Sequence, residues 1–456
     1  MSSGNEGLAT TRLTSLLDEN SFVELSSGVT ARSTDFNQDP REVPGDGVVT
    51  GYGLIDERLV FVYSQDPGVL GGTIGEMHAR KIRDVYDKAM KMRAPIIGLI
   101  DCSGVRLTES FDSTESIGAI LGASVEAAGV IPQITAVMGR CGGGMAVLNS
   151  LSDFSFMKKE AELFVNSPDA IEGNKENTAS AEFQYEAGNV DMIGSEDEIM
   201  EGIRELIGVL PSAGGEGGFM DEFSDDINRA SVDLDTKRDK VSDIAAELSD
   251  DHLFIETKGG FTGCMTTGFI KLMGTTVGVI GNEKDCLCAL GCAKAADFVR
   301  FLDAFDIPLL SLTDVSGYKA SAFNEERLPR ALAKMVSAIA EADIPKINLI
   351  TRSAGSTAYL MMNSKAIGAD LTYAFPDADV SVMDPALAGP IIAGDSGDAA
   401  ACADEYAASQ AGLSNALRRG MVDRVVDFAD ARKYLIAGFD MLFEKDMYIY
   451  KKHGTK

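Results

Sequence analysis

The segment VVTGYGLIDERLVFVYSQD (Val48–Asp66) returns in altered form as MTTGFIKLMGTTVGVIGNE (Met265–Glu283). Likewise APIIGLIDCSGVR (Ala94–Arg106) resembles IPLLSLTDVSGYK (Ile307–Lys319), and IPQITAVMGRCGGGMA (Ile131–Ala146) resembles IPKINLITRSAGSTAY (Ile344–Tyr359). The register holds: Pro95 and Pro308 are 213 apart, as are Gly104 and Gly317, and Pro132 and Pro345. A fourth match, NSPDAI with MDPALA, sets Pro168 and Pro385 217 apart. Chance does not hold one offset through several separated matches, so the chain is a tandem of two homologous domains. A chain of 456 residues exceeds one ordinary core, which agrees.

Each copy reads strand, helix, strand, loop, helix, strand, an α/β pattern. PIIGLID and PLLSLTD are short continuous apolar runs suited to buried strands. Gly75–Arg93 is an amphipathic helix with Met77, Ile82, Val85, Ala89 and Met92 on its inner face, and Cys292–Phe305 is its counterpart. The Gly-rich, then acidic stretch 210–240 reads as a linker between an N-terminal domain, 1–209, and a C-terminal domain, 241–456.

A net charge of −29 argues against nucleic acid and anionic lipid as partners, and requires that any anionic ligand be attracted locally. The N-terminus shows no basic flank before an apolar core, and the apolar runs are far below a membrane span of about 20 residues. Seven cysteines without an export signal therefore read as reduced thiols of a cytoplasmic protein. Cys286, Cys288 and Cys292 lack metal-ligand spacing and read as small packing residues at a helix start, so no metal is expected.

In each copy a buried strand ends in Asp and enters a Ser-Gly turn, and a second strand about 40 residues on ends in a small-residue loop that opens a helix. Ligands of α/β folds sit beyond the carboxyl ends of strands, where helix starts leave N–H donors unpaired. Two turns with backbone donors on one oxygen make an oxyanion hole. The candidates are Gly104–Val105 with Gly143, Gly144 and Met145 in the first copy. In the second they are Ser316 and Gly317 with Ser356, Thr357 and Ala358. Asp101 and Asp314, at matching strand ends, read as turn or cap residues rather than bases. No Ser-His-Asp, Cys-His or H-E-x-x-H set occurs, which leaves backbone donors as the chemistry, suited to enolate, thioester and ureido oxygens.

These residues resemble a family. GDGVVTGYGLID, LGGTIGEMHARKI, GVIPQITAVMGRCGGGMA, RFLDAFDIPLLSLTDVSGY and the run from Ile344 to Met383 are similar to carboxyltransferase subunits of biotin-dependent acyl-CoA carboxylases and decarboxylases. The likeness runs from about Leu13 to Val426 and is closest to propionyl-CoA carboxylase β and methylmalonyl-CoA decarboxylase α chains. It implies two crotonase-like domains, each a β-β-α superhelix, in a homo-oligomer, trimer or hexamer. It implies an acyl-CoA thioester on the N-terminal loops, between Gly104–Val105 and Gly143–Met145. It places biotin, borne on a separate carrier protein, on the C-terminal loops. There Gly317, Thr357 and Ala358 would face the ureido oxygen, with Ser316, Tyr318 and Ser356 around it. The implied partners are that carrier and either a biotin carboxylase or a membrane sodium-pump subunit.

The chain departs from the family where GSTA stands for a Gly-Gly-Ala loop, where MDPALAGP and DCSGVR stand for more glycine-rich turns, and at AGNVDMI. At Ser356 and Thr357 the amide directions survive if φ stays negative. A glutaconyl-CoA decarboxylase subunit and a non-catalytic scaffold are the alternative readings. A crotonase-type hydratase would need a carboxylate base such as Glu109 or Glu115, for which solvated helix-surface positions are expected.

Overall fold

The computed structural model describes residues 7–32, 43–210, 225–283, 285–443 and 445. They form two compact units, Met1–Glu216 with Thr257–Phe261, and Gly217–Glu256 with Thr262–Lys456.

The first unit is built on β1 (Val23–Leu25), β2 (Val48–Ile55), β3 (Arg58–Gln65), β4 (Ile96–Cys102), β5 (Gln133–Gly142), β6 (Phe154–Lys158), β7 (Glu162–Phe164) and β8 (Met192–Gly194). Their order is β1-β2-β3-β4-β5-β6-β8, with β7 added to β5. β2 and β3 form an antiparallel hairpin, and from β3 onward the pairing is parallel. Parallel neighbours need crossovers. Three are helical: α2 (Glu76–Met92), α3 (Ser110–Ala127) and α4 (Gly144–Leu151), after an N-terminal α1 (Leu8–Leu16). Every residue of β4 is buried, which is why that strand carries an unbroken apolar run.

The second unit repeats this path. β9 (Ile255–Thr257), β10 (Met265–Leu272), β11 (Thr275–Asn282), β13 (Leu309–Val315), β15 (Lys346–Gly355), β16 (Leu371–Ala374) and β18 (Arg424–Val425) lie in the corresponding order, and β17 (Asp379–Ser381) is added to β15. β12 (Cys286–Leu287) and β14 (Gly317–Tyr318) make a separate two-stranded ladder. Its counterpart in the first unit is a single bridge between Ile74 and Val105. The two duplicated segments are therefore like parts of like sheets.

Two expectations change. The buried face of α2 carries His78, Ala79, Lys81, Ile82, Val85, Tyr86 and Ala89, while Met92 is 52% exposed. The polar members are tolerated because they are bonded: Lys81 donates to the carbonyls of Gly45 and Val48. The thiols are not all reduced. Cys264 and Cys288 form a disulfide, their Cα atoms 6.7 Å apart, because the turn before β10 lies against the N-cap of the helix Ala289–Ala304. The other five cysteines are in no disulfide, and Cys292 is buried at that helix start.

Part of the expected linker, 211–224, lies outside the described residues. Residues 225–240 belong to the second unit. Leu234 is fully buried, Arg229 donates to the carbonyls of Glu247 and Ser249, and Arg238 pairs with Asp377 at 2.8 Å. No helix among the described residues is long and apolar enough to cross a membrane. Among the same residues no group of three His, Cys, Asp or Glu side chains could hold a metal.

Candidate active site

The site begins with a slip in register. β4 and β5 run in step from Ile96↔Gln133 to Ile100↔Val137, then resume at Cys102↔Cys141, so β5 holds two extra residues. β13 and β15 do the same, from Leu309↔Lys346 to Thr313↔Ile350 and then Val315↔Ala354. A bulge leaves backbone groups without ladder partners, and the strand-end aspartates supply them. Asp101 accepts from Arg140 N at 3.3 Å, and its own N–H donates to Gln65 Oε1 at 3.1 Å. Asp314 accepts from Ser353 N at 3.1 Å, and its N–H donates to Asn282 Oδ1 at 3.0 Å. Arg12 further binds Asp101 at 3.0 Å. Both carboxylates are structural clamps, as their residue type at a strand end suggests.

The slip brings the two candidate turns together at the carboxyl ends of neighbouring strands, each starting two residues past a paired position. In the first unit Gly104 has φ 106 and its N–H donates to the Cys102 thiol at 3.2 Å. Its carbonyl accepts from Ile74 N, and Arg106 N donates back to Ile74 O, both at 3.0 Å. In such a parallel bridge the intervening residue turns its own N–H away from the partner, so Val105 presents the outward amide. At the second turn Gly143 N donates to Phe164 O at 3.0 Å. Gly144 and Met145 then open α4, which no side chain caps. The amides of Gly104 and Gly143 are thus committed to shaping the turns, while Val105, Gly144 and Met145 carry the outward ones. Gly144 also serves packing, since a Cβ there would stand 2.6 Å from Ile117 Cγ2.

The second unit matches this pattern. Lys319 N donates to Leu287 O at 2.9 Å, which puts Tyr318 in the place of Val105. Ser356 N donates to Ser381 O at 3.0 Å, as Gly143 does to Phe164. Ser356 has φ 58 beside 59 for Gly143. The condition of a negative φ is therefore not met at Ser356, whose turn is instead closed by the same kind of strand bond as that of Gly143. Thr357 and Ala358 begin the short helix Ala358–Met361, again without a side-chain cap, and Gly317 has no atom within 4 Å of where a Cβ would stand. Ser316 is engaged through both its N–H and its hydroxyl with Asp285 O. Tyr318 Oη and Thr357 Oγ1 are hydrogen bonded at 3.1 Å.

A buried ionic group under the Gly104 turn was not anticipated. Arg106 reaches Asp46, Glu109 at 2.8 Å and Thr73 O at 2.7 Å. Asp46 accepts from His78 N at 2.7 Å, and Glu109 from Glu76 N at 2.6 Å, so two carboxylates satisfy the start of α2. Glu109 is thereby 3% exposed and fully engaged, not the solvated residue expected, whereas Glu115 is exposed on α3. Burial lowers the His78 pKa to about 3 and raises that of Asp46, the latter opposed by the Arg106 charge. The one available signal was the Arg106–Glu109 spacing just after the Ser-Gly turn. Lys319, at the place of Arg106, is exposed.

The chain belongs to the carboxyl transferase domain family, which matches residues 2–455. It is a carboxyltransferase made of tandem crotonase-like α/β domains. Among relatives, the propionyl-CoA carboxylase beta chain of Roseobacter denitrificans is 37% identical, over 97% of this chain and 92% of its own. The methylmalonyl-CoA decarboxylase subunit alpha of Veillonella parvula is likewise 37% identical with the same coverage. A transcarboxylase 12S crystal structure with hydrolysed methylmalonyl-coenzyme A bound, described as a hexamer assembly, superposes with TM-score 0.91 at 33% identity. That match covers 98% of this chain and 92% of the other.

Proposed function

We propose that this protein moves a carboxyl group between a short malonyl-type acyl-CoA and biotin on a separate carrier protein. Methylmalonyl-CoA and propionyl-CoA are the favoured pair. The observation that carries this reading is the recurrence, at matching strand ends, of two turns that present outward amides. In the first unit Val105, Gly144 and Met145 would donate to the thioester oxygen as enolate charge develops there. Preorganised donors of this kind contribute most where charge appears only in the transition state. In the second unit Thr357 and Ala358, beside the open face of Gly317, fit a ureido oxygen. Bound biotin would supply the nitrogen that takes and gives up the carboxyl group.

No side-chain base is assigned. Asp101, Asp314 and Glu109 are held in hydrogen bonds and ion pairs, which weighs against a hydratase. The retained turn geometry at Ser356 weighs against a scaffold that has lost its site. The proposal includes a cytoplasmic homo-oligomer, trimer or hexamer. Leu107, Phe111, Leu387 and Ile391 stand 65–84% exposed and would be available for its contacts. A biotin carboxylase or a sodium-pump membrane subunit would set the direction. The test is incubation with methylmalonyl-CoA and free biotin, following propionyl-CoA by mass spectrometry, with glutaconyl-CoA in parallel. Biotin-dependent propionyl-CoA is expected. Turnover of glutaconyl-CoA alone would move the substrate assignment, and no biotin-dependent change with any such thioester would overturn the function.

A further inference from the structure

The two sites share the hydrogen bonds that close their turns, Arg106 N to Ile74 O with Lys319 N to Leu287 O and Gly143 N to Phe164 O with Ser356 N to Ser381 O, but the side chains at their mouths differ. At the positions of the outward amides, the first unit has Val105 and Gly144, which offer no polar side-chain atom. The corresponding second-unit residues are Tyr318 and Thr357, and their hydroxyls meet at 3.1 Å, joining one turn to the other. Thr357 stands at an N-cap, where a threonine hydroxyl commonly accepts from its own helix. Here it makes no such bond and faces Tyr318 instead. Both residues are accessible: Thr357 is exposed and Tyr318 half-buried.

We propose that the Tyr318–Thr357 hydroxyl pair is a side-chain recognition element of the second site that selects a cyclic urea over a thioester. This rests on the assignment of biotin to that site. A thioester carbonyl only accepts hydrogen bonds, and backbone amides suffice for it. A ureido group both accepts, through its oxygen, and donates, through a ring N–H. A hydroxyl does both as well, and in a bonded pair one proton is already committed to the partner. The second hydroxyl proton then points to the ligand oxygen, and a remaining oxygen lone pair takes the ring N–H. The side-chain difference between the two units follows the chemical difference between their ligands.

The test compares wild type with Tyr318→Phe, Thr357→Val and Thr357→Ser, using free biotin and methylmalonyl-CoA as substrates. Loss of one hydrogen bond to the ligand predicts a rise in the KM for biotin of about 5–10-fold in the first two variants. The KM for methylmalonyl-CoA is unchanged, Thr357→Ser behaves as wild type, and Tyr318→Phe with Thr357→Val costs less than the product of the singles. A biotin KM unaltered in both single variants of an active enzyme overturns the proposal while leaving the function standing. So does an equal rise in both KM values, which marks general damage; thermal melting of each variant provides the check on folding. A wild type without biotin-dependent turnover overturns the functional reading itself, and this proposal with it.

Discussion

Ser356 occupies a backbone conformation, φ 58, that its counterpart Gly143 adopts at φ 59 without strain. A left-handed φ costs an L-residue roughly 1–2 kcal/mol, part of which a small polar side chain recovers. Ser356→Gly is therefore expected to stabilise the protein by roughly 0.5–1 kcal/mol, read as a higher urea midpoint; an unchanged or lower midpoint contradicts the strain. The opposite change, Gly143→Ala, meets no atom but must hold φ 59 and ψ −122, a first turn position that favours glycine. Loss of most turnover with the melting temperature lowered only slightly is expected, and full activity would refute the role of that turn.

His78 gives a pH dependence. Its folded pKa, about 3, lies below the unfolded value of about 6.5, so the folded chain refuses a proton that the unfolded chain accepts. Its contribution to stability is complete above pH 6.5 and is lost as pH falls toward 3. Asp153, raised by burial to about 7, acts in the reverse sense, its contribution fading as pH rises from about 4 to 7. The two are separated by the variant His78→Asn, for which urea midpoints between pH 7 and 5 should fall less steeply than in wild type. Parallel curves would show that His78 is not the titrating group.

At the scale of elements, the two Ser-Gly turns stand at matching strand ends but have different supports, and only Gly104 takes a positive φ. Arg106 neutralises Asp46 and Glu109 in the interior, and removing it leaves two buried carboxylates uncompensated. Arg106→Leu should cost about 3–5 kcal/mol, whereas Lys319→Leu at the matching exposed position should stay within about 0.5 kcal/mol. Equal urea midpoints for the two variants would contradict this. The disulfide between the turn before β10 and the start of Ala289–Ala304 makes a chemical prediction. Unfolded without reductant, the chain should titrate five thiols, and seven after reduction. Seven from the outset would mean that the pair is not bonded.

For the whole molecule, a net charge of −29 surrounds a site assigned to an anionic thioester, so attraction comes from amides and local side chains rather than the overall field. The exposed apolar residues predict association. Sedimentation equilibrium should give a trimer or hexamer, and a monomer at micromolar concentration would overturn that expectation.

The duplication, the matching strand order, the strand-end turns and the family were all legible in the linear order of residues. Repeat offset, apolar runs and Ser-Gly or Gly-Gly-Gly turns are local properties that survive without coordinates. The partner of any one amide is not local. That Gly104 and Gly143 spend their N–H groups on Cys102 and Phe164, leaving Val105, Gly144 and Met145 outward, follows from a two-residue slip between strands some 40 residues apart. The same holds for the positive φ of Ser356, the Cys264–Cys288 bond and the burial of Glu109. The sequence by itself determined that there are two like units with like turns; only the tertiary structure decided which donors stay free, because a hydrogen bond is made with whatever the fold brings within 3 Å.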